Sequence, residues 1–479
     1  MTENNVVNFY TDTPEYGSEL IDVAKLFMHD KNFVLTQEYK DGIVHKTETS
    51  GNAIKNTCSF CNQTYSDVFV LKPDYTPLEA KRYKKRYAKL SVYYCLKKVF
   101  DRRLPWGALT GIRPTKLAWE ITDSEGDFKD TFKRLFDVSD AKIEVAEKIL
   151  DAQKGLRISD DGKVDIYVGI PFCTSRCSYC SFTGGEISRL KQYVEPYFNA
   201  VDKEIAAALF FVKEYGLEIK NVYFGGGTPT ALPLELLDKL LNRFDKLSTS
   251  EFTVEAGRPD TINDDTFKVF KNHGVNRISI NPQTFCQRVL NLVGRKHTAE
   301  DIIDRYQKAR KYDFVINMDF IAGLPTETKE EFFADVDKVA ELSPDNVTIH
   351  TLALKKGSIL KEQTAEASDD GRVSDMVDYA YKNLVAAGYQ PYYLYRQKYM
   401  ADNLENIGYC KQGKQSLYNI DIMEETTSII ACGSNSISKR VFGKQNRIER
   451  LAAAKDLPTY LNNIDVLIKK KAELFKQEQ

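Results

Sequence analysis

From about residue 163 onward, apolar positions along the chain follow two alternating rhythms. Short runs dense in β-branched and aromatic residues read as strands: VDIYVGI (164–170), IKNVYFG (219–225), EFTVEA (251–256), NRISINP (276–282), FVINMDFIA (314–322) and NVTIHTLAL (346–354). The stretches between them, such as 190–215 and 234–247, repeat their apolar residues at helical spacing and are predicted to pack outside a sheet. Six strand–helix pairs in succession predict an α/β fold, a partial (β/α)6 barrel of parallel strands. In such a barrel the working face lies where the loops leave the carboxyl ends of the strands, so chemistry is expected just after each run.

The flanks break this rhythm. Residues 1–160 mix helical and extended pieces and are expected to form an α+β extension. Residues 161–372 hold the barrel core, and residues 373–479 are expected to form an appended region that covers the substrate. Between 79 and 104 lysines and arginines are frequent, while Tyr83, Tyr87, Leu90 and Tyr94 fall on one face of a helix. The plain reading is a solvated basic helix; a surface for an acidic partner is the alternative.

A chain of 479 residues can bury a large core and an additional module. Its net charge of -1 excludes the strong basic bias of a nucleic-acid binder. No run of about 18 apolar residues suggests a membrane span, and the polar start MTENNVVNFYTD does not resemble a secretory signal, so a cytoplasmic location is expected. There, nine cysteines in so long a chain are too sparse for a disulfide scaffold, and clustered ones are expected to bind metal.

Three cysteines do cluster. The segment GIPFCTSRCSYCSF, directly after the first strand, sets Cys173, Cys177 and Cys180 in a Cys-x3-Cys-x2-Cys loop. Soft thiolates at such short spacing suit zinc or an iron–sulfur centre. A structural zinc ion would take a fourth ligand, and the nearest histidines along the chain are His45 and His273. Three thiolates on a four-iron cluster would instead leave one iron open to a chelating ligand. After the second strand comes Gly225-Gly226-Gly227-Thr228-Pro229, where missing side chains allow a ligand close to the backbone. Cys58 and Cys61 form a second, looser pair that reads as ordinary cysteines, as do Cys95, Cys286, Cys410 and Cys432.

The cysteine loop and the glycine-rich turn resemble the motifs of radical S-adenosylmethionine (SAM) enzymes. Over roughly residues 163–450 the chain is similar to their oxygen-independent coproporphyrinogen III oxidase-like branch. LTGIRPTK (109–116), YLYRQK (393–398) and NLEN (403–406) resemble signatures of its coproporphyrinogen dehydrogenase subclass. The resemblance implies a [4Fe–4S] cluster on Cys173, Cys177 and Cys180, with SAM at the open iron, and leaves a second SAM undecided. It implies SAM contacts at Tyr167, Gly226, Gly227, Thr228, Glu255, Gln283, Arg295 and Asp319, with Tyr167 beside the reacting SAM. It further implies a tetrapyrrole substrate, whose propionates would need cations such as Arg295, Lys296, Arg396 and Lys398, and an electron donor such as flavodoxin or ferredoxin. Tyr392, Tyr393 and Tyr395 read either as platforms for a macrocycle or as core.

The implied reaction is oxidative decarboxylation of two propionates of coproporphyrinogen III to give protoporphyrinogen IX. One departure matters: the best-known oxidases of this branch carry another cysteine two residues past the third ligand, where this chain has Phe182. Related haem chaperones share that ending, although their usual C-terminal His-Asn pair has no counterpart here, since no histidine follows His350. A haem-binding chaperone and a radical SAM methyltransferase acting on haem are the alternatives.

Overall fold

A computed structural model describes residues 5–476 except 112, 183, 246, 354–357, 364–370, 398–399 and 401–402. The chain divides into two compact units, Met1–Ala146 and Glu147–Gln479. The first division expected from the sequence lay later, after residue 160.

The first unit is built on strands β1 (Val6–Thr11), β2 (Asn32–Thr36), β3 (Gly42–Ser50), β4 (Ala53–Phe60) and β5 (Gln63–Val70), in the order β2-β1-β3-β4-β5. The helix Pro77–Phe100 starts with a capping box in which Thr76 and Glu79 satisfy each other's backbone N–H groups. Its aromatic face is a packing face. Tyr83, Tyr87 and Tyr94 stack on Tyr75, Phe69 and Tyr65 with centroids 4.4, 3.9 and 5.1 Å apart, while Lys81 and Arg82 remain exposed. Cys58 is buried in β4 and meets Cys95 of this helix, whereas Cys61 lies exposed in the β4–β5 turn.

In the second unit all six expected strands form. They are β6 (Lys163–Ile170), followed by the short pair β7 (Phe172–Cys173) and β8 (Gly185–Glu186), then β9 (Glu218–Gly226), β10 (Glu251–Glu255), β11 (Arg277–Ser279), β12 (Val315–Ala322) and β13 (Asn346–Thr351). β6, β9, β10, β11, β12 and β13 lie side by side in that order, all parallel. The sheet does not end there. β15 (Asn406–Cys410) pairs antiparallel with β13 and carries β14 (Gln390–Tyr395) outside it. At the other edge β16 (Ser428–Cys432) pairs parallel with β6, followed by β17 (Ile437–Phe442) and β18 (Arg447–Ala452).

Residues 373–479, expected as an appendage, thus complete both edges of the core sheet. The physical reason is that β6 and β13 would otherwise expose unpaired backbone groups. Among the described residues no helix is long and apolar enough to cross a membrane.

Strand alternation explains both the stability and the use of this sheet. On one face Val164, Ile166, Val168, Val222, Phe224, Val254, Ile278, Ile316, Met318 and Val347 are almost wholly buried. The alternate positions are polar or small: Asp165, Tyr167 and Gly169 on β6 face the register partners Asn221, Tyr223 and Gly225 on β9. The pattern continues through Glu251, Thr253 and Glu255, Arg277 and Ser279, Asn317 and Asp319, and Asn346, Thr348 and His350. The apolar positions hold the helices, and the polar ones are left to make the barrel's interior.

Candidate cluster and cofactor site

The cysteine loop leaves β6 through Pro171 and is pinned at several points. Gly185 N–H donates to Pro171 O at 2.9 Å, Ser175 Oγ to Gly294 O at 2.9 Å, and Ser178 N–H to Val293 O at 3.1 Å. Cys173, Cys177 and Cys180 all line one cavity of about 210 Å³. Thr228 Oγ1 lies 3.5 Å from Cys173 Sγ, and Arg258 Nη1 lies 3.7 Å from Cys177 Sγ. Burial pushes the Cys173 thiol up to about 11 and raises that of Cys180. Metal loading takes thiolates, so it must release these protons.

Beside the loop, β9 runs out into the glycine turn. Gly226 has a φ of 113°, and a Cβ there would lie 2.7 Å from Ile170 O. A Cβ on Gly227 would lie 2.8 Å from Cys173 Sγ. Only glycine fits between the cysteine and the strand. The amides of Gly227 and Thr228 donate to Ile170 O at 2.7 Å and Phe172 O at 2.8 Å. The turn therefore offers a ligand close approach rather than those two N–H groups.

Four polar side chains, from the next strands and the loops after them, complete the wall. Tyr223 donates to Glu255 Oε1 at 2.6 Å. Burial, opposed by that hydrogen bond and reinforced by the charge of Asp319, lifts the Glu255 carboxyl to about 7. Gln283 sits at φ 69° with its N–H on Asp319 O at 2.8 Å, and its buried Oε1 has no partner among the described residues. Arg295, 7% exposed, donates to Asn281 O at 2.5 Å and Gly257 O at 3.4 Å, leaving its buried Nε without a partner among the described residues. For Asp319, burial acts upward, but His350, Asn317 and Thr348 outweigh it and hold the carboxyl below its ordinary range.

Gly226, Gly227, Thr228, Glu255, Gln283, Arg295 and Asp319 thus line the same cavity as the three cysteines. Tyr167 does not. Its ring lies 6.2 Å from Tyr223 and 6.5 Å from Tyr418, and its hydroxyl feels the charge of Glu255.

The expected substrate cations fare differently. Arg396 is not among the cavity's lining residues: it is 5% exposed and donates to Leu404 O at 3.3 Å, Asn403 O at 3.0 Å and Asn403 Oδ1 at 2.5 Å. A desolvated guanidinium needs acceptors, and here the chain's own loop supplies them. Burial lowers its pKa to about 10, against the pull of Glu405. Lys398 lies outside the described residues. Lys296 is exposed, and Tyr392 and Tyr393 are buried in a cluster with Cys410 and Ile420.

Sequence reasoning missed Arg258 and Asn281, which line the cavity, and Arg176, which lines it while exposed. Each follows a strand or sits between two of the cysteines, which is the signal that could have found them.

The residues fit a cluster with SAM. Three soft thiolates and the polar residues Glu255, Gln283, Arg295 and Asp319 line a glycine-walled cavity, and a thiolate set of this kind is what iron–sulfur clusters use. Among the described residues no three His, Cys, Asp or Glu side chains converge on one metal-ion position, as a mononuclear zinc site would need; the thiolates of a cluster each take a different iron.

Comparison with known proteins agrees with this geometry. Residues 167–339 match the radical SAM superfamily. The chain is 36% identical over 389 residues to the oxygen-independent coproporphyrinogen-III oxidase-like protein HemZ of Bacillus subtilis, covering 78% of this chain and 77% of that protein. It is 29% identical over 282 residues to the heme chaperone HemW of Escherichia coli, covering 57% and 69%. The coproporphyrinogen III oxidase HemN structure from Escherichia coli superposes with a TM-score of 0.51 at 23% identity over 65% of this chain and 71% of that one, a likeness of fold. The chain belongs to the oxygen-independent coproporphyrinogen-III oxidase-like family of radical SAM proteins. Membership in that superfamily implies a [4Fe–4S] cluster and SAM as cofactors.

Proposed function

We propose that the chain is a radical SAM enzyme that oxidatively decarboxylates coproporphyrinogen III to protoporphyrinogen IX without oxygen. The observation that carries the reading is the single cavity in which the cysteine loop meets Glu255, Gln283, Arg295 and Asp319. The likeness to HemZ, an oxygen-independent coproporphyrinogen-III oxidase-like protein, supports the substrate.

When bound, the cluster and SAM would supply one-electron radical chemistry able to remove a hydrogen atom from the β-carbon of a propionate, the side chain then losing carbon dioxide and passing its remaining electron to an electron acceptor. The chain's own residues position and shield. Cys173, Cys177 and Cys180 hold the cluster, and the gap at Gly226 and Gly227 lets SAM lie against it. Glu255 accepts hydrogen bonds from ribose hydroxyls, with Tyr223 fixing its orientation. Gln283 and Arg295, which line the same cavity, supply the remaining polar contacts. Phe182 and Tyr179 line the cavity beside the cysteines and keep water from a reactive carbon radical.

Arg176, which lines the cavity and is exposed, is placed to meet a propionate there. A flavodoxin- or ferredoxin-type donor in the cytoplasm supplies reducing equivalents.

A haem-chaperone reading is favoured by one observation, Phe182 in the cavity wall, together with the HemW relatives. Anaerobic incubation of reconstituted protein with a reductant, SAM and coproporphyrinogen III separates the two. Protoporphyrinogen formation is the expected result. Stable haem binding without turnover supports the chaperone, and a linearised haem product the methyltransferase.

A further inference from the structure

Arg258 follows β10 in the segment Gly257-Arg258-Pro259-Asp260 and is 3% exposed. A guanidinium so far from water must find acceptors for its five N–H groups. Two directions are fixed by Asp260, which accepts from Nε at 3.0 Å and from Nη2 at 3.3 Å. Nη2 also donates to Ser175 Oγ at 2.9 Å, within the cysteine loop itself. Asp260 is held in turn by Thr174 Oγ1 at 2.9 Å, and Ser175 by Gly294 O. With its plane locked on that side, the fork presents Nη1 to Cys177 Sγ at 3.7 Å. Arg295, the other arginine near this cysteine, spends Nη1 on the carbonyls of Asn281 and Gly257 and also interacts with Cys177 and Tyr179, so Cys177 lies between two guanidinium groups.

We propose that Arg258 tunes the reduction potential of the cluster through a charge-assisted N–H···S hydrogen bond to its Cys177 ligand. Adding an electron to a cluster makes its sulfurs more negative, so a cationic donor stabilises the reduced form more than the oxidised one and raises the potential. Burial removes the solvent that would screen this interaction. Arg258 thereby acts as a positioning residue for electron entry: it decides how strong a donor is needed before SAM can be split. The inference rests on the cluster lying on Cys173, Cys177 and Cys180, and its test separates the two claims, since iron content reports the cluster and the potential reports Arg258.

The experiment uses the full chain, reconstituted without oxygen, as wild type, R258Q, R258K and S175A. Iron and sulfide are counted, and the midpoint potential is followed by electron paramagnetic resonance in a redox titration without SAM. R258Q is expected to hold the same iron with a midpoint shifted to more negative potential. R258K keeps the charge but not the fork and is expected to shift in the same direction by less, and S175A, which only loosens the guanidinium, by least. A wild-type midpoint in a fully loaded R258Q overturns the proposal; should that variant not load iron, a wild-type midpoint in R258K does so. Loss of iron from both with an unchanged circular dichroism spectrum also overturns it, because Arg258 would then hold the loop rather than tune the cluster.

Discussion

The two ends of the barrel interior are both lined by charged and polar side chains, yet they do opposite things with them. At the amino ends of the strands, Glu251 accepts from Arg277 Nε at 3.1 Å, Ser416 Oγ at 2.8 Å and Leu417 N at 3.0 Å, and Arg277 Nη1 reaches Asn346 at 2.6 Å. Lys220 pairs with Asp421 at 2.6 Å, and Asn221 bridges Asp165 and Asp421. The helix Leu417–Glu424 closes this end, and the groups pair extensively, with Asp165 Oδ2 and Asn221 Oδ1 left without partners among the described residues. At the carboxyl ends the same alternation leads into a cavity lined by Glu255, Gln283, Arg295 and Asp319. A buried polar layer capped by a helix serves the fold; one that lines a cavity is built for something that arrives later.

The largest effect should fall on the closed end. E251A leaves Arg277 short of its carboxylate in a buried network and is expected to cost about 3–5 kcal/mol of stability, read by urea denaturation. A loss under about 1 kcal/mol would erase the contrast between the two ends. Next comes G227A, whose methyl would meet Cys173 Sγ and Phe172 O. It should cost about 1–3 kcal/mol and lower the iron retained per chain.

At the open end, E255Q should leave urea stability near wild type while weakening SAM binding by about ten- to a hundredfold, the worth of a hydrogen bond to a charged group. Equilibrium binding to the reconstituted protein checks it.

The smallest effect concerns carboxyls that belong to neither end. Burial, reinforced by Asp335, pushes Glu327 up to about 8, and burial pushes Asp335 up to about 7. Each binds its proton more tightly folded than unfolded. Their contribution to stability is therefore fully present below the ordinary carboxylate range and is lost as pH rises through about 7 to 8. E327Q should flatten the fall in urea stability between pH 5 and pH 8.5 without changing SAM affinity; an unaltered slope would contradict the assignment.

The same contrast explains what could be read from the sequence. The six parallel strands were legible because Val164, Ile166 and Val168, and their counterparts on the other strands, recur at every second position, and because strand ends in such folds carry the site. Glu255, Gln283 and Asp319 sit at or just after such strand ends, but they and Arg295 were singled out by the resemblance to radical SAM enzymes. The edges were not legible. That β16 pairs with β6 across some 260 intervening residues depends on long-range pairing, which leaves no local periodicity. Arg396 misled for a related reason: charge in the sequence does not tell whether the chain itself will satisfy it, and Asn403 and Leu404 do. Arg258 escaped notice because Gly-Arg-Pro reads as a turn, while its meaning lies in a cysteine 81 positions away.

The central claim is that three thiolates in one loop hold an iron cluster with room for SAM. Anoxic reconstitution of wild type beside C173A, C177A and C180A, with iron counted and 5′-deoxyadenosine measured after adding reductant and SAM, tests it most directly. The account predicts one [4Fe–4S] cluster and SAM cleavage in wild type, and loss of both in each variant. Iron-free wild type, or any of the three variants cleaving SAM at the wild-type rate, would contradict it.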